Sequence, residues 1–225
     1  MAERARQGEI LAGPAVGSSG MQAVPHGLIH DWSGVVFIPG VTLAQVFAVL
    51  DDYGQYSQFY GPTVIDATLL CRTSHGNKED EDQFRVRYAQ KLLFVSEVVD
   101  TEYDARRIRV DDSHWYSITR STRLDEFRRH GKPGQTVATG DETTPYVWRI
   151  YCISKYEQRD GGVYMEQENI ALSRGIPVSL RWLIEPAVRQ LSKELTTGSL
   201  RQTREAVLSV VRGRTVPVGI VKAGG

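Results

Sequence analysis

The chain has 225 residues, of which 41% are hydrophobic, and it carries 27 Lys and Arg against 27 Asp and Glu. This balance gives no net charge that would attract nucleic acid or an anionic membrane, so we expect neither partner. No segment approaches the roughly 20 consecutive apolar residues of a membrane span, so we expect no stable membrane insertion, and transient membrane contact stays open.

The two ends of the sequence have the composition of tails. Residues 1–25 are rich in Gly, Ala and Ser and lack the apolar segment of a secretory signal. We expect a flexible N-terminal tail over 1–25, one domain over 26–211 and a flexible C-terminal tail over 212–225. Cys71 and Cys152 lie far apart and fit small buried hydrophobic residues better than a disulfide or a reactive thiol. This pattern favours the cytoplasm, with a processed exported precursor as the alternative.

Strand and helix signals begin after the first tail. The β-branched and aromatic run at 28–38 predicts the first strand, which Pro39-Gly40 closes. Thr42 is suited to cap a helix that ends near residue 50. A second short helix is predicted near 53–60, where Tyr and Phe residues cluster. The first strand is therefore followed by two short helices.

Six further strands and one long helix complete the predicted elements. The connections between the strands are mostly turns, so we expect an antiparallel sheet. The helix begins near Pro177 and continues to about Val210, and its apolar side, which includes Leu195 and Leu200, is predicted to face the sheet. The six strands are predicted near 64–72, 82–90, 92–103, 113–127, 146–158 and 163–173.

The last hairpin predicts its own register. If Asp160-Gly161 is a two-residue turn, Lys155 lies opposite Glu166 and Ile153 lies opposite Glu168. We assign the face that carries apolar and neutral polar residues to the concave side of the sheet, although a slip of one residue would exchange the two faces. That face holds Trp148, Ile150, Cys152, Ser154, Tyr156, Met165, Gln167, Asn169 and Ala171.

Several short motifs follow this element order. They are Gly27-Leu28-Ile29-His30-Asp31-Trp32, Phe37-Ile38-Pro39-Gly40, Asp52-Tyr53, Ser121-Thr122-Arg123, Trp148-Arg149, Asp160-Gly161-Gly162-Val163-Tyr164, Ile176-Pro177 and Thr203-Arg204. Through them the chain resembles the START-like (SRPBCC, helix-grip) superfamily, and within it bacterial members without an assigned activity. The resemblance implies an α+β helix-grip fold, with a seven-stranded antiparallel curved sheet wrapped around a long C-terminal helix and two short helices after the first strand.

The resemblance also implies a function. We expect binding or transport of a hydrophobic small molecule (a lipid, sterol-like compound, quinone or polyketide) in an internal cavity. The alternatives are a polyketide cyclase or aromatase-like enzyme that uses the same cavity, and an interaction protein with a filled core. Ligand contact is predicted for Trp32, Trp115, Trp148, Ile150, Ser154, Tyr156, Met165, Gln167, Asn169 and Trp182, with a mouth formed by 53–60 and 174–177.

No residue is predicted to be catalytic, and no metal or cofactor is expected, because no motif with suitable spacing occurs. The five histidines show no metal-ligand pattern. His30 is a candidate acid or base, but a structural role is favoured. Glu166 and Glu168 share one face of a strand opposite Lys155, which favours a surface ion pair over a pair of catalytic carboxylates.

Overall fold

The structure is a computed structural model that describes residues 2–76, 78–92, 95–128, 136–139, 146–176, 179 and 181–213. The tail predicted at 212–225 lies outside these residues from 214 onward. The helices are α1 (Ala2–Arg6), α2 (Leu43–Leu50), α3 (Tyr56–Phe59) and α4 (Arg181–Val211), and a 3-10 turn spans Tyr53–Gln55. The strands are β1 (Leu11–Pro14), β2 (Met21–Val24), β3 (Gly27–Pro39), β4 (Val64–Ser74), β5 (Glu79–Leu92), β6 (Val95–Arg109), β7 (His114–Arg128), β8 (Thr136–Thr139), β9 (Val147–Arg159) and β10 (Gly162–Arg174).

The strands form one antiparallel sheet in the order β1-β3-β10-β9-β7-β6-β5-β4. The seven predicted strands correspond to β3, β4, β5, β6, β7, β9 and β10. Two short strands, β2 and β8, pair with β3 and β7, and a third, β1, also pairs with β3. The predicted helix-grip fold is confirmed, and the sheet is extended by three short strands.

Local sequence explains the turns and caps of these elements. The side chain of Thr42 accepts a bond from the amide of Gln45, whose side chain accepts in return from the Thr42 amide, so a capping box starts α2. Asp160 and Gly161 both have positive φ, at 54° and 75°, as a tight hairpin turn requires. The register predicted for this hairpin is confirmed, because Lys155 pairs with Glu166.

Helix α4 crosses the concave side of the sheet and packs most closely on β3. Leu200, Ala206 and Val207 are fully buried in the same core as Val36 and Ile38. A Cβ atom on Gly34 would lie 2.7 Å from Leu200 Cδ1, so the glycine permits this close approach. Among the described residues, no helix is long and apolar enough to cross a membrane.

Two sequence predictions about burial are wrong. Leu195 is 47% exposed, because it lies on the side of α4 turned away from the sheet. Cys71 is exposed and unpaired, since it lies in β4, which is an edge strand whose second half is exposed throughout. A strand with one neighbour covers fewer of its side chains than a central strand does.

Residues 2–24 differ from the tail that composition predicts. Strand β1 runs along the outer edge of β3 from Leu11 opposite Val35 to Pro14 opposite Trp32, and β2 continues along the same edge. Ala5 of α1 is fully buried against the opposite face of the sheet. Strands of four residues are too short to show a period in the sequence. Their stability comes from pairing with an edge of β3 that would otherwise be open.

This N-terminal segment, residues 2–24, is also tied to α4. Arg189 donates from Nη1 to the carbonyl of Ser19 at 2.6 Å, and Arg204 donates from Nη1 to the carbonyl of Gly8 at 2.9 Å. Met21 is buried in a small cluster with Leu28, Ile176 and Val188, in which Val188 belongs to α4. The segment therefore passes from one face of the sheet, around the edge of β3, to the helix on the other face.

We expect Met21→Ala to lower the free energy of unfolding by about 2 kcal/mol, because a buried Met side chain is removed from this cluster. Gln22→Ala on the same strand is the control, since Gln22 is exposed, and we expect a change within about 0.5 kcal/mol. Urea denaturation measures both variants. Equal stability of Met21→Ala and the unmodified chain would mean that residues 2–24 are a free tail in solution.

Candidate functional site

The concave face of the last hairpin is identified by its contacts with α4. Asn169 donates from Nδ2 to Thr196 Oγ1 at 3.3 Å, and Ser199 donates from Oγ to Gln167 Oε1 at 3.4 Å. Odd-numbered residues of β10 therefore face the helix. In the observed register, Ser154 lies beside Gln167 and shares this face. The face that the sequence assigns to the concave side is the one observed.

A polar network crosses the middle of this face. Gln167 Nε2 donates to Asn169 Oδ1 at 2.9 Å and to Cys152 Sγ at 3.2 Å. The Cys152 thiol also lies 3.6 Å from Ser154 Oγ. With the bond from Asn169 to Thr196, the network joins β9 and β10 to α4. Three residues predicted as ligand contacts, Ser154, Gln167 and Asn169, are thus brought together.

The network includes residues that the sequence did not single out for the site. Cys152 was predicted as a buried hydrophobic residue, and its Sγ instead accepts a hydrogen bond. Thr196 and Ser199 stand three residues apart, so they lie on the same side of α4. Two polar residues at this spacing within the apolar stripe of α4 were the signal in the sequence that could have identified them.

A group of tyrosines extends the same face toward β5 and β6. Tyr88 donates its hydroxyl proton to the Tyr103 hydroxyl at 3.2 Å, and the Tyr60 hydroxyl lies 3.1 Å from Thr203 Oγ1. Burial raises the pKa of Tyr60 to about 12, and burial also raises the pKa of Tyr103 to about 12. Ile150 packs beside this group. These hydroxyls are neutral at pH 7 and offer hydrogen bonds without charge.

Residues in the centre of the concave face keep solvent-accessible surface. Cys152, Tyr88, Ile150, Asn169 and Ala171 are each half-buried, although α4 passes over this side of the sheet. Burial nevertheless raises the pKa of the Cys152 thiol and raises that of Tyr88 well above its ordinary value. These residues are surrounded by protein and are still only half-buried.

The end of this face next to α2 is filled. The ring of Phe47 lies 5.3 Å from that of Trp115 and 5.2 Å from that of Tyr156, in edge-to-face contacts. Tyr156 and Met165 are buried in the main core. The structure therefore places Trp115, Tyr156 and Met165, which the sequence predicts as ligand contacts, in a packed wall at this end.

The remaining tryptophans are not members of the polar network. Trp148 is half-buried at the beginning of β9, where a Cβ atom on Gly27 would lie 3.1 Å from its ring. Trp32 is buried, with its ring against Gly20. Trp182 is 76% exposed on α4, so the structure does not bring it to the concave face.

His30 forms a buried polar contact at the β3 side. Its Nε2 atom lies 2.7 Å from the hydroxyl of Ser173, which is fully buried. Burial lowers the pKa of His30, and the positive charge of Arg189 lowers it further. The imidazole is therefore neutral at pH 7. Its Nε2 atom contacts Ser173, and its Nδ1 atom has no hydrogen-bond partner among the described residues.

One residue from each segment of the predicted mouth, Tyr53 and Ile176, is buried. The Tyr53 ring stacks on Phe84 with 4.5 Å between centroids, and its hydroxyl donates to Asp82 Oδ2 at 2.8 Å. Ile176 is buried, and Pro177 lies outside the described residues. An entrance between these two segments stays a prediction.

Two solved structures resemble this fold over most of the chain. Human STARD10 superposes with a TM-score of 0.51 at 10% identity, over 86% of this chain and 75% of that one. A STAR-related lipid transfer protein from Xanthomonas axonopodis gives 0.50 at 15% identity, over 84% of this chain and 99% of that one. The chain has a START-like fold.

The START-like fold is visible in the structure and not in direct sequence matches. No protein-family model matches the chain, and no curated protein matches it. A START superfamily protein from Mycobacterium smegmatis gives a TM-score of 0.47 at 12% identity, over 80% of this chain and 99% of that one. In the START-like fold the sheet curves around the C-terminal helix, which is where the polar network and the half-buried residues lie.

Proposed function

We propose that the protein binds and carries an apolar small molecule, of the size of a lipid, sterol-like compound, quinone or polyketide, in a hollow between β9, β10 and α4. One observation supports this most strongly. Burial raises the pKa values of Cys152 and Tyr88, yet both residues are only half-buried. This combination supports an internal space next to the two residues.

The chemistry around this space suits an apolar ligand. Ile150, Ala171 and the tyrosine rings supply apolar surface, and Gln167 and Asn169 supply neutral polar groups. A few polar groups in an apolar wall are typical of small-molecule sites. Burial of ligand surface would contribute roughly 25 cal/mol per Å², less the cost of immobilising the ligand.

The proposed ligand contacts follow from these positions. Ile150, Ser154, Gln167 and Asn169 are retained from the sequence prediction. Trp115, Tyr156 and Met165 close one end. The solved Xanthomonas neighbour is described as a lipid transfer protein, which supports carriage as the role of the hollow. The residues added from the structure are Tyr88, Cys152 and Ala171.

Ala171→Trp tests the hollow, because Ala171 is half-buried on the concave face. We expect the affinity for Nile red, an uncharged fluorescent probe, to fall at least about tenfold, since the indole would occupy the space. The thermal melt should change little, because a hollow accepts the larger side chain. Ser154 is a poorer position for this test, since it is only 4% exposed within the network.

Ile170→Trp is the matched control. Ile170 is the preceding residue of β10, is also half-buried and points to the opposite face of the sheet. We expect this variant to bind Nile red as the unmodified chain does. Full binding by Ala171→Trp, or an equal loss in both variants, would contradict the proposed location.

A further inference from the structure

Two buried polar atoms on one face of β3 have no hydrogen-bond partner among the described residues. They are Nδ1 of His30 and Nε1 of Trp32. His30 is 7% exposed and Trp32 is 6% exposed. A buried polar atom without a partner costs free energy, so two such atoms in neighbouring side chains require a reason.

Both side chains point toward α4. Residues two apart in a strand share a face, and Gly34, the next residue in this alternation, approaches Leu200 and Thr196 of the helix. In the register of the sheet, Ala171 lies opposite His30 and Asn169 lies opposite Trp32. His30 therefore stands beside Ala171 of the proposed hollow, and Trp32 stands beside Asn169, with its ring also against Gly20.

The chemistry of the two atoms specifies what would satisfy them. An indole N–H only donates, so Trp32 needs an acceptor. The Ser173 hydroxyl lies 3.2 Å from the carbonyl of Arg174 and can donate to it. When it does, His30 Nε2 carries the proton shared with Ser173, and Nδ1 is an acceptor. In the other tautomer Nδ1 is a donor. A hydroxyl group both donates and accepts, so it suits Trp32 and either form of His30.

The surroundings favour a neutral group over an anion. His30 is neutral, as described above. The nearby guanidinium of Arg189 is already bound to the carboxylate of Glu185 at 2.8 Å and to the carbonyl of Ser19 at 2.6 Å. A carboxylate placed here would lack a cation of its own, whereas an alcohol needs none.

We propose that His30 and Trp32 form a subsite for the hydroxyl group of an apolar alcohol. The hydroxyl oxygen accepts from Trp32 Nε1 and its proton is shared with His30 Nδ1, while the apolar body lies along the hollow beside Ala171 and Ile150. This inference rests on the proposed function, because it assigns a ligand class to the same hollow.

Three probes of equal chain length test the subsite: 1-dodecanol, 1-methoxydodecane and dodecane, each measured by displacement of Nile red. The alcohol donates and accepts, the ether only accepts, and the alkane does neither. The quantity compared between the unmodified chain and each variant is the ratio of two probe affinities, so that differences in hydration of the probes cancel.

We expect His30→Phe to reduce the preference for alcohol over ether by about fivefold, because a single hydrogen bond is lost. Trp32→Phe should reduce the preference for ether over alkane by a similar factor. Trp182→Phe, the same substitution at a tryptophan that is 76% exposed on α4, is the control and should change neither ratio.

The outcomes separate this inference from the one it rests on. If all three probes displace Nile red and both ratios are unchanged in both variants, water already satisfies the two atoms and the subsite is overturned, while the hollow stands. If none of the probes displaces Nile red, the proposed function fails as well. If Trp32→Phe does not fold, the subsite is tested by the alcohol-to-ether ratio alone. This ratio is then measured in His30→Phe and in the milder His30→Gln.

Discussion

Leu200→Ala is expected to lower the free energy of unfolding by about 2 to 5 kcal/mol, the range for a fully buried leucine that leaves a cavity. Leu200 has no exposed surface and lies over Gly34, where α4 comes closest to β3. The loss should be near the upper end of this range. Helix α4 already lies against Gly34 of β3, so the sheet cannot move closer to fill the cavity. Urea denaturation measures the change.

Leu195→Ala is the matched control for this substitution. Leu195 is on the same helix and is 47% exposed, so we expect a loss below about 1 kcal/mol. The ratio of the two effects reports which side of α4 faces the sheet. Equal losses in the two variants would contradict the observed orientation of the helix.

Asp82→Ala is expected to cost about 3 kcal/mol, because it removes the acceptor for two neighbours. Arg72 donates to the carboxylate from Nε and from Nη2, each at 2.7 Å, and Tyr53 donates its hydroxyl proton at 2.8 Å. The estimate lies at the low end for a broken buried ion pair, since the Arg72 side chain is 38% exposed. Asp66→Ala on β4 is the exposed control, with an expected change within about 0.5 kcal/mol.

The pH dependence of this effect has a definite sign. Burial by itself would raise the pKa of Asp82, but the bonds from Arg72 and Tyr53 outweigh burial and lower it. A carboxyl whose pKa is lower in the folded state stabilises the protein above its unfolded pKa of about 4 and loses this contribution as pH falls further. The difference in stability between the unmodified chain and Asp82→Ala should therefore shrink below about pH 4. A constant difference down to pH 2 would contradict the role given to the charge.

Much of the fold follows from the sequence because its signals are local. Alternation along strands, the Thr42 cap and the Asp160-Gly161 turn each determine a short stretch, and the turn also sets the register of the last hairpin. The N-terminal strands were not predicted, because their pairing depends on the distant edge of β3 and not on a pattern of their own.

The candidate site was predicted less completely than the fold. The register placed Ser154, Gln167 and Asn169 on one face, which the structure shows. Which residues on that face border open space depends on how α2 and α4 pack over it. Phe47 of α2 covers Trp115 and Tyr156, and the turn of α4 leaves Trp182 exposed. Packing between distant elements of this kind is not encoded in the period of any one strand or helix.

The ties between the N-terminal segment and α4 have a consequence for how this chain can vary. Arg189 and Arg204 bond to the backbone carbonyls of Ser19 and Gly8, so the connection requires the path of the segment and not the identity of its side chains. Both bonds should therefore persist after point substitutions at most positions of the segment. Shortening the segment would move both carbonyls out of reach. Length, more than sequence, is the property of this segment that we expect to be preserved among relatives that retain both arginines.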